Sequence, residues 1–220
     1  RDRRSAWVAA AAHEPWRSAT GRRARAVAER HGSCAAAATR ADLRSLVTAL
    51  QAEGQGGGES GALPVPQPAV PPSVAALWLE GAEWHFSRDH CDVFGCNIFP
   101  PARLPELTVQ IFGDAENRAD WQQQQRAAAG EPSVADPGWL VWASFSEYDY
   151  LFVCFDSASP HHGHVRHMVN NCCEERAVWN DALPLAERLL AWDAAGGDAP
   201  EDEEEESALT AMLSREARGR

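Results

Sequence analysis

The chain has 220 residues, 45 % of them apolar, which suits one ordinary domain with tails or at most two small domains. Its formal net charge is −12, which argues against nucleic-acid binding by the main domain. No apolar run approaches the length that spans a bilayer, so no membrane partner is expected.

All 20 basic residues are arginine, and they sit unevenly. Residues 1–40 hold nine of them against three acids, a balance of +6, so the remainder carries −18. The stretch "RDRRSAWVAAAAHEPWRSATGRRARAVAERHG" is Arg- and Ala-rich and poor in acids. Residues 1–38 are therefore read as a basic arm, either disordered or an organelle-targeting segment. The sequence opens on Arg1, which leads us to expect a start upstream of it. Cysteines stand at 34, 91, 96, 154, 172 and 173. Nothing marks the chain as secreted, so free thiols and an intracellular location, cytoplasmic or nuclear, are expected.

The first convincing element is "TRADLRSLVTALQ". Thr39 can cap a helix with Asp42 as its capping-box partner, and Leu43, Leu46, Val47 and Leu50 form one apolar stripe. The glycine-rich stretch 53–61 cannot hold a helix and is read as a flexible loop. Prolines then make an extended approach to a second helix, with Pro72 in its first turn, a face of Val74, Leu77 and Trp78, and Gly81 at its end. Short strands are expected near Trp84–Phe86 and Asn97–Phe99. A turn at Pro100–Pro101 leads into a helix holding Leu104 and Leu107. "DAENRADWQQQQRAAAGEP" is helical by propensity but polar, and reads as an exposed helix or an insertion.

The second half is more regular. "GWLVWASF" (138–145) predicts a strand and "YLFVCFD" (150–156) a central strand buried on both faces. "SASPHHG" predicts a turn, and "HVRHMVN" (164–170) the next strand. "NNCCEER" is read as an exit turn. "NDALPLAERLLAW" (180–192) predicts a closing helix, capped by Asn180 or Asp181, with Leu185, Leu189 and Trp192 facing the core. Strands joined by tight turns imply an antiparallel meander, and the helices around it make the fold α+β. The expected core framework is Leu77, Trp78, Trp139, Trp142, Phe152, Phe155, Val165, Val169, Leu189 and Trp192. Residues 196–220 form an acidic tail, with eight acids between Asp193 and Glu206, followed by a short helix bearing Leu209, Met212 and Leu213.

Three segments carry residues capable of chemistry. The segment from His161 to Cys173 contains His161, His162, His164, His167, Cys172 and Cys173, enough donors for zinc or for a thiol-dependent enzyme. Alternation along a strand opposes the zinc reading, because His164 and His167 then point to opposite faces. Adjacent Cys172 and Cys173 also diverge. A second group, His85, His90, Cys91 and Cys96, has no further ligand pair at finger spacing. Cys154 lies mid-strand in an apolar run and reads as a buried hydrophobe. No phosphate-binding loop and no nucleophile elbow occurs in the sequence. The expectation is therefore no catalytic residue, no metal ligand and no cofactor.

Trp84, Trp121 and Trp179 are less firmly assigned to the core than the other strand and helix tryptophans. An exposed tryptophan would suit a protein contact. His161 and His162, placed in a turn, complete a candidate partner surface whose charge varies near neutral pH.

Several strings resemble the SUKH superfamily, the Smi–Knr group of cell-wall regulators and toxin-immunity proteins. They are "DLRSLVTAL", "PPSVAALWLEG", "FPPARLPEL", and above all "YLFVCFD", "SASPHHGHVRHMV" and "NDALPLAERLLAW". The resemblance covers residues 39–195, with departures near 53–61 and 114–131 that look like insertions. It implies a non-enzymatic domain that binds another protein, as a regulatory or scaffold subunit.

Overall fold

The computed structural model describes residues 19–31, 36–53, 65–86, 96–112, 118–122, 133–145, 149–169 and 174–195. Their helices are α1 (Ala19–His31), α2 (Arg40–Glu53), α3 (Pro72–Glu80), α4 (Leu104–Phe112) and α5 (Ala182–Ala195). The strands are β1 (Trp84–Phe86), β2 (Cys96–Ile98), β3 (Trp139–Phe145), β4 (Asp149–Cys154), β5 (Val165–Val169) and β6 (Glu174–Trp179). A 3-10 turn, Pro101–Arg103, leads into α4, and 118–122 is also helical. The fold is α+β: all six strands pair antiparallel in chain order, a complete meander. None of the described helices is long and apolar enough to cross a membrane.

Alternation along the strands builds two cores. Leu140, Trp142, Leu151, Val153 and Val165 belong to a large cluster shared with α1, α2, α3 and α5. Trp139, Val141, Phe152, Cys154 and Met168 belong to a smaller one, shared with Phe112 of α4 and with Val134 and Ala135. A bulge between Val141 and Ala143 turns both Trp142 and Ala143 to the larger cluster. The β3 backbone also needs a partner at Val141. Thr108 of α4 supplies it: its hydroxyl accepts the Val141 N–H at 2.9 Å and donates to the Leu104 carbonyl at 2.7 Å.

Local chemistry explains the helix starts. Thr39 N–H donates to the Asp42 carboxylate at 2.7 Å while Asp42 N–H donates to the Thr39 hydroxyl at 3.2 Å, a reciprocal capping box. These donors hold the Asp42 carboxyl below its usual range, the Thr39 backbone N–H first. Pro72 opens α3, and Val74, Leu77 and Trp78 of that helix are fully buried. Trp78 Nε1 donates to the Phe99 carbonyl at 2.9 Å, and Trp84 Nε1 to the Gly81 carbonyl at 2.7 Å.

Three expectations need correction. The fold does not begin at residue 39. Residues 19–31 form α1, which packs on α3 and α5 with Ala24 and Val27 buried. Its buried stripe consists of small residues, which allow close helix approach. Arg23 Nε donates to Glu187 at 2.7 Å, and Arg25 lies 3.6 Å from Glu80. The second correction concerns "NNCCEER", whose last residues begin β6 rather than a turn. Third, the part of the 114–131 stretch that is described, 118–122, is not a wholly exposed helix. Arg118 is buried, and Trp121 packs edge-on against Phe112 with ring centroids 5.5 Å apart. Strand β5 is buried on both faces: Arg166 and Met168 are enclosed as Val165 and His167 are.

The remaining framework residues Leu77, Trp78, Trp139, Trp142, Phe152, Phe155 and Leu189 are all buried. The side chains of Val169 and Trp192 lie outside the described residues, as do 1–18, most of 53–61 and 196–220.

Candidate functional site at the histidine turn

The register of the sheet separates Cys96 from the histidine turn. Phe86, Cys96, Phe145, Asp149, Val169 and Glu174 form one continuous row across all six strands. Cys154 and Val165 lie at the other end of their strands, where the 155–164 turn joins them. The segments 87–95 and 170–173, which carry His90, Cys91, Cys172 and Cys173, lie outside the described residues. Their flanking strand ends belong to the row, away from His161, His162 and His164.

The turn is built outward from Asp156. This residue leaves β4 and bridges to Pro68 on a passing segment. Ala69 N–H donates to the Phe155 carbonyl and Ser157 N–H to the Gln67 carbonyl, both at 2.9 Å. The Asp156 carboxylate, 8 % exposed, accepts the Gln67 N–H at 3.2 Å and the Ala158 N–H at 3.0 Å. Side-chain capture of a backbone N–H two residues on is the ordinary use of Asp at a turn. Ser159 continues the turn: its hydroxyl accepts the His161 N–H at 3.1 Å and its carbonyl the His162 N–H at 3.2 Å.

Residues 161–164 form a second, tighter turn. His164 N–H donates to the His161 carbonyl at 2.8 Å, and Gly163 at the third position has φ +86°. A positive φ there is what a type II turn demands, and glycine adopts it without strain. Gly163 N–H donates to the Cys154 carbonyl at 2.9 Å and Cys154 N–H to the His164 carbonyl at 3.1 Å, which anchors the turn to the end of β4.

This turn brings two imidazoles together. His161 Nδ1 lies 3.4 Å from His164 Nδ1, with the rings edge-on and their centroids 5.2 Å apart. Burial, and secondarily His161, hold the His164 imidazole below its ordinary value. His162 points elsewhere: its Nε2 donates to the Ala69 carbonyl at 3.2 Å. Neither His161 nor His162 is the fully exposed residue the turn assignment implied; both are half-buried.

The remaining candidates serve the framework. Trp84 is fully enclosed and Trp179 is buried too, so neither ring presents a contact surface. Trp84 stacks on Phe86 at 6.1 Å between centroids. His167 is fully buried opposite Leu151. His85, exposed on β1, has Nδ1 2.7 Å from Asn97 Oδ1. Burial pushes the Cys96 thiol up strongly. It also raises the Cys154 thiol, against hydrogen bonds from the Asp156 backbone and the Ser159 hydroxyl. Such thiols are poor nucleophiles. Among the described residues no three His, Cys, Asp or Glu side chains converge as metal ligands.

Alternation, applied to His164 and His167, does not reach the His161–His164 pair. The signal that reveals it is "HHGH", a glycine at the third of four positions. Arg118 was also missed, and no local signal marks it. It lies over Phe112 with its guanidinium carbon 4.7 Å from the ring centroid. Its Nε donates to the Ala135 carbonyl at 3.1 Å, and its Nη2 to the Asp136 carbonyl at 3.5 Å. Desolvation pulls its pKa down to about 10, with Asp136 opposing the shift.

Fold and site together define an α+β domain with a meander sheet and a rigid histidine turn at one end. No protein-family model matches the chain, and no curated protein matches it.

Proposed function

We propose that this chain is a non-enzymatic, intracellular protein-interaction domain of the SUKH type, acting as a regulatory or scaffold subunit for another protein. The observation that carries the reading is the use made of the chemically capable side chains. The Asp156 carboxylate is engaged by two backbone N–H groups, and the Cys96 and Cys154 thiols are raised by burial. Groups committed in this way serve architecture rather than turnover. The meander with its helices is compatible with the strings that resemble this superfamily. With Trp84 and Trp179 buried, the candidate contact surface narrows to the turn bearing His161 and His162.

The test is capture of a partner by the immobilised full chain at micromolar concentration in host lysate. The expected result is a protein displaced by free chain and retained less by a variant carrying His161→Glu and His162→Glu. Recovery of no protein that free chain displaces would overturn the proposal.

A further inference from the structure

We propose that His161 and His164 form a two-imidazole chelate for a first-row divalent cation, with zinc the ion whose geometry fits. This goes beyond the protein-binding role and does not depend on it.

The argument begins with distance. Zinc–imidazole bonds are about 2.0–2.1 Å long, so two nitrogens on one tetrahedral ion stand about 3.3–3.4 Å apart. The two Nδ1 atoms are separated by 3.4 Å. The separation already matches, and the rings need only turn so that both Nδ1 lone pairs converge on the ion. The ion replaces the contact between the two nitrogens, with both rings taking the tautomer that carries its proton on Nε2.

The second argument is preorganisation. The 161–164 turn is closed by its own hydrogen bond and tied to Cys154 by two more. Gly163 also lies close to Pro71: a Cβ placed there would stand 3.4 Å from the Pro71 Cβ. The backbone carrying both ligands is thus fixed before any ion arrives, which lowers the ordering cost of binding. Both histidines are half-buried rather than enclosed, so the ion has an entry path. His162 stays outside the site because its ring is engaged by Ala69.

Among the described residues no third His, Cys, Asp or Glu completes the set. The ion would keep two positions of its tetrahedron open to water or to donors from a bound molecule.

Zinc chloride titrated into the full chain near pH 7.5, under a non-thiol reductant, tests this by calorimetry. The wild type should bind one equivalent more than the double variant carrying His161→Gln and His164→Gln. Each single substitution should weaken that site at least about tenfold, no less than the loss of an outer-shell partner costs, and His162→Gln should leave it unchanged. Thermal melts without zinc verify that the variants fold. If one variant fails to fold, the ring nitrogen shifts of the wild type decide, because both Nδ1 signals should move on zinc addition. Equal zinc uptake by wild type and double variant, or no movement of those two signals, would overturn the proposal.

Discussion

Gly138 lies directly against Asp156. A Cβ at position 138 would stand 2.7 Å from the Asp156 Cβ and 3.3 Å from its backbone nitrogen. Gly138 also has φ +96°, and its carbonyl accepts the Phe155 N–H at 2.7 Å. The entry to β3 and the exit of β4 therefore share a space that only a residue without a side chain can fill. Gly138→Ala adds backbone strain of roughly 1–3 kcal/mol to this clash. Urea denaturation should show a lower midpoint with an unchanged slope.

Asp156 itself should be more than a spacer. Asp156→Ala strands the Gln67 and Ala158 N–H groups and should cost about 1–3 kcal/mol. Asp156→Asn keeps one acceptor oxygen and should cost less. Because Gln67 and Ala158 depend on the same carboxylate, amide exchange should accelerate at both positions in the alanine variant.

The pH dependence of stability should carry a His164 component. Its folded value is depressed below the ordinary 6.5. The unfolded chain therefore takes up the proton at higher pH than the folded one. The contribution is complete above the unfolded value, falls as pH drops through it, and levels off below the folded value. Between about pH 7.5 and pH 5, wild type should lose more stability than His164→Gln. Parallel denaturation curves for the two proteins would remove this assignment.

Arg118 should behave as a core residue despite its charge. Arg118→Ala removes two hydrogen bonds to carbonyls and leaves a cavity beside Phe112, with an expected cost of roughly 2–4 kcal/mol. Arg118→Lys keeps the charge but loses the planar fork that reaches both carbonyls, so it should still destabilise. Thermal melts that leave either variant equal to wild type would contradict the packing described for residues 118–122.

Two tryptophans should respond differently to phenylalanine. Trp78 Nε1 has the Phe99 carbonyl as its acceptor, whereas Trp142 Nε1 is buried with no acceptor among the described residues. Trp78→Phe loses a hydrogen bond and leaves a carbonyl unsatisfied; Trp142→Phe removes an orphan donor. Trp78→Phe should therefore be the more damaging, by about 1 kcal/mol, as read from denaturation midpoints.

Much of the fold was legible because its signals are local. The Thr39–Asp42 capping box, the stripe of α2, Pro72 at the start of α3 and the unbroken apolar run of β4 each depend on neighbours in sequence. Alternation, turns and a closing helix were enough to establish an α+β meander. The site was legible only in part. "HHGH" contains the turn, but the approach of His161 to His164 follows from the positive φ of Gly163 and the anchoring by Cys154.

Tertiary structure alone decided the rest. Helix α1 carries a stripe of small residues, and its place depends on the surface that α3 and α5 present to Ala24 and Val27. Arg118 is buried because the 133–136 turn offers carbonyls that no sequence window of the helix contains. Trp84 is enclosed rather than available to a partner because α-helices cover that face of the sheet. Sequence by itself determined which backbone conformations were favourable. Which polar and aromatic side chains left water was settled by contacts between segments far apart in the chain, since desolvation depends on the whole surrounding surface and not on the residue alone.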